Sequence, residues 1–433
     1  MNITVVGLGK IGLPLAVQFA GRGHRVVGAD INPAVVATVN DGNEPFPGEA
    51  FLAERLAGVV GNGLLRATTS TADAVAASEA VVVVVPLHVD AESQPDFAWM
   101  EAATEQIGAG LTPGTLICYE TTLPVGTTRN RWKPLLEATS GLTEGDGDDG
   151  FHVVFSPERV LTGRVFADLR KYPKLIGALS AGGASRARAF YEAVLEFDER
   201  PDLPRGNGVW DLGSAEAAEM AKLAETTYRD VNIGLANQFG VFAAANGIDV
   251  FQVIEASNSQ PYSHIHRPGI AVGGHCIPVY PRLYLYNDPS ATVVRAAREA
   301  NAAMPMYTVG LVTGAYGDLA GATVTVLGAS YRGGVKETAF SGVFPTVAAL
   351  RAQGARVLVH DPMFDDEELR GLGFEPYHLG EPLDVAVVQA DHAAYLNLSK
   401  DDLPGVRVVV DGRNMLDAGR FEGVTFRVVG RAP

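Results

Sequence analysis

The hydrophobic positions of this chain form short runs that alternate with helical patterns, and the alternation occurs in two regions. In the first region, runs typical of buried parallel strands lie at 3–8, 25–30, 79–86, 115–120 and 152–158. Further along, similar runs lie at 323–328, 356–362, 384–391 and 406–413. Strands that alternate with helices are typical of doubly wound parallel sheets. We therefore predict two Rossmann-like units.

The middle of the chain has a different pattern, which predicts one long helix over 214–247. Ser214 is a suitable N-cap, and Glu216 and Glu219 place negative charge in the first turns. The predicted fold class is therefore α/β, with two Rossmann-like doubly wound domains joined by a long central helix and a helical domain. The predicted domains are residues 1–205, 206–300 and 301–433.

Composition and charge narrow the class of protein. The chain has 433 residues, of which 47% are hydrophobic and 19% charged, as is typical of a soluble globular protein. Its net charge of −16 disfavours nucleic acid or an anionic membrane as a partner. The longest apolar run, at 80–86, is far shorter than the ~20 residues that span a bilayer. Residues 1–10 show no signal-peptide pattern and there are only two cysteines, so we expect a cytoplasmic location.

A glycine-rich turn follows the first predicted strand. The sequence GLGKIG at 7–12 matches G-x-G-x-x-G and opens a helix. In this motif Gly7 makes the tight turn, Gly9 lets a pyrophosphate approach, and Gly12 packs helix against strand. Asp30 ends the next predicted strand, where a carboxylate accepts both ribose hydroxyls and repels a 2′-phosphate. The turn therefore predicts a dinucleotide site that prefers NAD to NADP.

Several longer motifs carry a resemblance to a known family. They are YETTLPVGTT, FSPERVLTGR, AEAAEMAKLAETTYRDVNIGLANQFGVFAAANGIDV, GGHCIPV and VVVDGRNMLD. In this order they resemble the UDP-glucose/GDP-mannose 6-dehydrogenase family, and most closely the members that oxidise UDP-N-acetylmannosamine. The resemblance implies an NAD-binding domain, a long helix used in homodimerisation, and a C-terminal domain that binds a nucleotide sugar, with a UDP-sugar expected. The family oxidises C6 twice with NAD, from alcohol through aldehyde to carboxylate, in polysaccharide biosynthesis.

This chemistry explains why Cys276 lies in GGHCIPV. An aldehyde gives up no hydride until a nucleophile adds to it, and a thiol is a strong nucleophile that is partly ionised near neutrality. We expect Cys276 to form a thiohemiacetal and then a thioester, while Gly273 keeps the backbone thin beside the sugar. Lys222, surrounded by apolar residues in EMAKLA, is expected to stabilise the developing oxyanion.

The resemblance assigns roles to further residues. Thr122 and Glu158 match positions that orient water and move protons. Arg413 matches an arginine near the nucleotide phosphates, and Arg332 stands where the family has a lysine. The predicted cofactor-binding residues are Gly7, Gly9, Lys10, Ile11, Gly12, Asp30, Pro86, Thr122 and Glu158, and the predicted substrate-binding residues are Lys222, Gly273, Arg332 and Arg413.

The chain also departs from the family's pattern. The family has an aspartate four residues after the cysteine and an asparagine four residues after the lysine, where this chain has Tyr280 and Thr226. Ala339 replaces an arginine of a D-x-R-E-S stretch, and Tyr262 replaces an arginine that reaches the neighbouring subunit's site, with Arg267 close by in the sequence. Tyr280 and Thr226 stay among the predicted catalytic residues, with Cys276, Lys222, Glu158 and Thr122.

These departures leave two alternatives open. In the first alternative, the same scaffold oxidises an unusual nucleotide or nucleoside substrate or stops after removing two electrons. In the second, the chain is a catalytically impaired nucleotide-binding protein. A zinc site is a separate possibility, since His264, His266, His275 and Cys276 lie close together in the sequence. Their spacing fits no common structural zinc pattern, so no metal is predicted.

Overall fold

The computed structural model describes residues 1–90 and 92–432. The chain divides into two compact units, Met1–Ala224 and Glu225–Pro433. The helix Ala215–Ala245 contains the boundary between them. The division into 1–205, 206–300 and 301–433 stays a prediction.

The first unit is built of strands that alternate with helices. Its strands are β1 (Asn2–Val6), β2 (Arg25–Ala29), β3 (Leu65–Thr68), β4 (Ala80–Val83), β5 (His88–Val89), β6 (Pro95–Asp96), β7 (Leu116–Tyr119), β8 (Thr143–Glu144), β9 (Gly150–Phe155), β10 (Lys174–Ala178) and β11 (Val209–Asp211). Its helices are α1 (Gly12–Gly21), α2 (Pro33–Asn40), α3 (Leu52–Gly61), α4 (Thr71–Ala76), α5 (Ala98–Gly110), α6 (Lys133–Ser140), α7 (Val165–Lys171) and α8 (Ala181–Val194). The π-helical turn Thr128–Trp132 precedes α6, and α9 (Ala215–Ala245) begins in this unit.

One twisted sheet organises the first unit, in the order β11-β10-β9-β7-β4-β1-β2-β3, with β8 beside β9. All neighbours from β3 to β9 pair in parallel. This stretch therefore has the 3-2-1-4-5-6 order of dinucleotide-binding folds. Beyond it the direction reverses, because β10 pairs antiparallel with β9, and β11 is parallel to β10.

Both faces of this sheet are buried, which explains its unbroken apolar strands. Val5 and Val82 belong to one apolar layer, together with Phe19 of α1. Val81 and Ile117 belong to the layer on the opposite face. Side chains in a strand alternate between faces, so a strand covered on both sides needs apolar residues throughout.

The second unit repeats this architecture with a fully parallel sheet. Its strands are β12 (Thr323–Leu327), β13 (Arg356–His360), β14 (Glu375–Pro376), β15 (Val385–Val388), β16 (Val408–Asp411) and β17 (Thr425–Val428), and its helices after α9 are α10 (Val250–Asn258), α11 (Tyr280–Asn287), α12 (Thr292–Tyr316), α13 (Val343–Ala352) and α14 (Asp366–Gly371). The order β14-β13-β12-β15-β16-β17 is again 3-2-1-4-5-6. All its neighbours are parallel. The predicted α/β class with two Rossmann-like units is confirmed.

The predicted long helix is present as α9, slightly shorter than predicted. The backbone N–H of Ala217 donates to Oγ of Ser214 at 3.1 Å, so Ser214 is the N-cap, as predicted. Within the described residues, none of the helices is both long and apolar enough to cross a membrane.

Candidate active site

The predicted cofactor residues of the first unit share one edge of its sheet. The turn at 7–12 follows β1, and Asp30 follows β2. Pro86, Thr122 and Glu158 come shortly after β4, β7 and β9. Since these strands are parallel, their carboxyl ends lie at the same edge, where ligands bind in doubly wound sheets.

The glycine turn has the shape that a dinucleotide requires. Gly7 has a φ of 91°, and its N–H donates to the carbonyl of Ala29 at 2.8 Å. A Cβ on Gly12 would lie 1.8 Å from the carbonyl oxygen of Gly7, so this position cannot carry a side chain without displacing the turn. A Cβ on Gly9 would meet nothing within 4 Å, which leaves the space above the turn open.

Hydrogen bonds from the turn hold Asp30 in place, and its carboxylate remains partly exposed to solvent. Its Oδ2 accepts the N–H of Leu8 at 2.8 Å, and its Oδ1 accepts the N–H of Asn32 at 2.9 Å. An ionised carboxylate has about four acceptor sites, so two sites remain. The turn and Asp30 therefore fit the phosphates and the ribose hydroxyls of NAD.

The loop after β7 is fixed to its surroundings by a buried carboxylate. Glu219 of α9 is fully buried and accepts hydrogen bonds from the N–H of Gly126 at 2.5 Å and from the N–H and hydroxyl of Thr128 at 2.9 and 2.7 Å. Burial raises the pKa of Glu219 to about 7, although these donors oppose the shift. Glu219 thus joins the loop that carries Thr122 to the helical turn that carries Lys222, and both of these side chains are buried.

The loop that carries Cys276 is attached to the carboxyl edge of the second sheet. The N–H of Ile270 donates to the carbonyl of Gly412 at 3.0 Å, and the N–H of Gly274 donates to that of Ala339 at 2.8 Å. A Cβ on Gly273 would lie 2.6 Å from the side chain of Tyr331. The close packing of this loop against Tyr331 is therefore sufficient to require a glycine at 273, independently of any contact with the sugar.

Tyr280 lies beside the thiol of Cys276. Its N–H donates to the carbonyl of Cys276 at 2.9 Å, and its hydroxyl is 3.8 Å from Sγ. Cys276 itself is exposed, whereas Cys118 is buried and its pKa is raised by burial to about 12. Of the two thiols, Cys276 is the one accessible to a substrate. Among the described residues, no group of His, Cys, Asp and Glu side chains is arranged to hold a metal ion.

The two predicted substrate arginines lie around Tyr331. Arg413 donates to the carbonyls of Gln389 at 2.7 Å, Ala271 at 3.3 Å and Tyr331 at 3.3 Å, and burial lowers its pKa. These bonds use three of its five N–H groups and join the Cys276 loop to the loops after β12 and β15. Arg332 is exposed, and its Nε is 3.3 Å from the hydroxyl of Tyr331.

The second unit contains a turn that resembles the one after β1, which sequence analysis missed. Gly328 has a φ of 111°, its N–H donates to the carbonyl of His360 at 2.7 Å, and the N–H of Ala329 donates to Oδ2 of Asp361 at 2.9 Å. Unlike Asp30, Asp361 is buried, and its Oδ2 also contacts Nε2 of His392 at 3.0 Å. The spacing of Gly328 and Gly333 in GASYRG, which equals that of the outer glycines in GLGKIG, was the available signal.

The predicted site residues thus fall into one group in each unit. The first unit holds the cofactor residues and Lys222, and the second holds Thr226, Gly273, Cys276, Tyr280, Arg332 and Arg413. Sequence analysis missed Glu120 and Lys174, which contact Glu158. The sequence signals for these two residues were weak: Lys174 begins the apolar stretch KLIGAL, and Glu120 ends the apolar stretch LICYE.

Two sheets of this strand order, one bearing an open glycine turn with an acidic residue, define a Rossmann-type nucleotide-binding protein. Family models match three parts of the chain, all described as the UDP-glucose/GDP-mannose dehydrogenase family: its NAD binding domain at 1–195, its central domain at 216–303 and its UDP binding domain at 325–418. The chain belongs to this family. Its class is that of the NAD-dependent nucleotide-sugar dehydrogenases, which confirms the predicted resemblance and the predicted cofactor.

Individual relatives agree with this assignment. A UDP-N-acetyl-D-mannosamine dehydrogenase of Pyrococcus horikoshii is 34% identical over 100% of this chain and 99% of its own length. One of Escherichia coli strain K12 is 33% identical, over 96% of this chain and 99% of its own. The solved structure of the Pyrococcus horikoshii enzyme superimposes with a TM-score of 0.87 at 32% identity, covering 100% and 99% of the two chains. A UDP-glucose dehydrogenase of Pyrobaculum islandicum gives 0.87 at 27%, covering 99% and 98%.

The geometry of the turn predicts different effects for its glycines. Gly12→Ala should lower the free energy of unfolding by about 1–3 kcal/mol, because the methyl group overlaps the carbonyl of Gly7. Gly9→Ala should leave the melting temperature within about 2 °C but weaken NAD binding, because the methyl group would occupy the open space. Thermal melting and calorimetric titration with NAD measure the two effects. Equal melting temperatures for both variants would contradict this account of the turn.

Proposed function

We propose that the protein oxidises C6 of a nucleotide sugar from primary alcohol through aldehyde to carboxylate. The observation that carries the proposal is the exposed thiol of Cys276, on a loop anchored to the edge of the nucleotide-binding second sheet. The names of the relatives favour UDP-N-acetyl-D-mannosamine as the substrate. We also propose that Thr226, Gly273, Arg332 and Arg413 contact the nucleotide sugar.

The chain's own residues supply the steps around the hydride transfers. The glycine turn at 7–12 and Asp30 would hold NAD, which would supply the hydride acceptor for each oxidation. The Cys276 thiolate adds to the aldehyde carbon to give a thiohemiacetal, and loss of hydride from this adduct leaves a thioester. The Lys222 ammonium stabilises the negative oxygen on C6. Thr122 orients a water molecule and Glu158 takes its proton, so that water attacks the acyl carbon and the thiolate leaves.

Tyr280 sets the expected slow step. Its hydroxyl is 3.8 Å from the thiol, which supports its assignment to the place where the family has an aspartate. A neutral phenol supplies neither the negative charge nor the second proton acceptor that a carboxylate at this place would offer to the attacking water, so Glu158 must act as base without that help. We therefore propose that hydrolysis of the thioester limits turnover, while both hydride transfers stay fast.

This mechanism predicts a burst of product. Mixing enzyme, NAD and UDP-N-acetyl-D-mannosamine in a stopped-flow spectrometer should give up to two NADH per active site, followed by slow turnover. Intact-mass analysis should find an acyl adduct on Cys276. Tyr280→Asp should speed the slow phase without enlarging the burst, and Cys276→Ser should abolish the adduct and stop the second oxidation.

Tyr286→Asp is the matched control, because Tyr286 is an exposed tyrosine of the same helix. It should leave both phases unchanged. Release of free aldehyde with one NADH per substrate would favour an enzyme that removes two electrons. Tight NAD binding without NADH formation from any nucleotide sugar would favour a nucleotide-binding protein.

The open carboxylate of Asp30 predicts selectivity for NAD. Asp30→Asn keeps an oxygen acceptor for the turn but loses the charge, so NAD should bind about tenfold more weakly and the gap to NADP should narrow. Rates with both cofactors at matched concentrations measure this effect. Asp41→Ala removes an exposed acid at the end of α2 and should change neither rate. Equal wild-type rates with NAD and NADP would refute the assignment.

We further propose a homodimer built on α9. Tyr228, Leu235, Phe239 and Phe242 recur at helical spacing on this helix and are exposed. A two-fold contact would bury this apolar stripe against itself. Light scattering at micromolar concentration should give twice the 45.6 kDa of one chain. Phe242→Glu should shift the mass towards the monomer, whereas Phe344→Glu, at an exposed site outside α9, should not.

A further inference from the structure

Lys174 places a buried ammonium between two carboxylates of the first unit. Its Nζ is 2.9 Å from Oε2 of Glu120 and 2.9 Å from Oε2 of Glu158. The side chains of Lys174, Glu120 and Glu158 are 4%, 0% and 12% exposed. Glu158 is therefore the member of this cluster that is nearest to solvent.

The reversed direction of β10 creates the cluster. Because β10 is antiparallel to β9 and pairs Gly177 with Phe155, its first residue lies beyond the end of β9. Lys174 therefore reaches the carboxyl edge of the sheet, next to the loop that carries Glu158. A parallel strand here would begin at the opposite edge. The N–H of Glu158 also donates to the carbonyl of Glu120 at 3.2 Å, which joins the ends of β7 and β9.

Further polar groups fix the members of the cluster. The Tyr191 hydroxyl donates to Oε1 of Glu120 at 2.7 Å, and Nζ of Lys174 lies 4.8 Å from the centre of the Tyr191 ring. The N–H of Arg159 donates to Oε1 of Glu158 at 2.7 Å. The titratable groups that the described residues bring against the cluster, besides its three members, are Tyr191, Cys118 and Arg159.

The charges of the three members differ in their dependence on pH. Burial would raise the pKa of Glu158, but the charge and hydrogen bond of Lys174 lower it below its ordinary value. Burial raises the pKa of Glu120 in spite of Lys174. The two carboxylates outweigh burial and raise the pKa of Lys174. As the pH falls, Glu120 therefore takes up a proton before Glu158, and Lys174 stays charged.

We propose that Lys174 is a positioning residue that holds Glu158 in place and keeps it ionised, while Glu120 and Tyr191 anchor the lysine. This inference deepens the proposed function and rests on it, because Glu158 is the group that takes the proton of water there. Stability alone does not require the arrangement, since buried ion pairs replaced by apolar residues of similar volume often cost nothing. Lys174 thus sets the pH range in which Glu158 can act as a base.

The test is the pH dependence of kcat with saturating NAD and UDP-N-acetyl-D-mannosamine, because the hydrolysis in which Glu158 acts is the step that limits turnover. In Lys174→Met the two carboxylates lose their shared cation, so the pKa of each of them, including Glu158, rises. The acid limb of the kcat profile should rise by at least about one pH unit, so that kcat falls about tenfold at pH values below the limb and is spared near pH 9. Lys171→Met, at an exposed lysine at the end of α7, should leave the profile unchanged.

A double variant separates the charge from the fold. Glu120→Gln should keep the wild-type acid limb, because Glu120 is already protonated where Glu158 titrates. Lys174→Met with Glu120→Gln lacks the cation and leaves Glu158 as the one carboxyl group of the cluster, so the acid limb of its pH profile should rise as in Lys174→Met. This double variant leaves no second buried carboxylate and remains informative if Lys174→Met alone does not fold.

Infrared titration of the carboxylate band in the free protein measures the protonation of Glu158 without turnover. The signal of Glu158 is assigned as the part of the band that is lost when Glu158→Gln is added to each protein. The protonation midpoint of Glu158 should rise in Lys174→Met and in the double variant alike. A loss of activity by the same factor at every pH, with an unmoved midpoint, would overturn the inference. Absence of NADH formation in the wild type, with the midpoint shifted as expected, would instead contradict the proposed function and leave the role of Lys174 intact.

Discussion

Parallel strand pairing is the constraint on which both candidate sites depend. A parallel sheet places the carboxyl ends of all its strands at one edge, so residues far apart in sequence meet there without any contact between them being specified locally. In the first unit this edge gathers the glycine turn, Asp30, Thr122 and Glu158. In the second unit the same rule supplies the surface to which the Cys276 loop is attached. The chemistry of each loop is therefore independent of the pattern that builds the sheet.

The sheets could be predicted from sequence because their central strands are buried on both faces. Val81 and Val82 contribute to opposite apolar layers, so the strand leaves a continuous apolar run in the sequence. Strands β3, β11 and β17 were missed because they lack such a run, as Arg66 in β3 and Arg427 in β17 illustrate, whereas β10 was missed although it lies in the apolar stretch KLIGAL. The glycine turn could be predicted since its backbone geometry demands glycine at fixed spacing.

The polar contacts around the sites could not be predicted in the same way. Lys174 would ordinarily be read as a surface residue, and its burial depends on the antiparallel direction of β10 and on a carboxylate at the end of β7. Glu219 was recognised only as a charge near the start of a helix, yet it accepts three hydrogen bonds from a loop distant in sequence. Such contacts depend on the order and direction of the strands in the sheet, and the hydrophobic pattern of the sequence does not specify strand direction.

The pairing of Asp361 with His392 separates the two units chemically although they share one fold. In the first turn the equivalent carboxylate is half-buried and keeps acceptor sites for a sugar diol. In the second turn the carboxylate is buried and already bonded to three backbone amides and an imidazole. A ribose would have to displace His392 to reach it. Of these two turns, the first is therefore the one whose carboxylate is open to a sugar diol, although both have the same architecture.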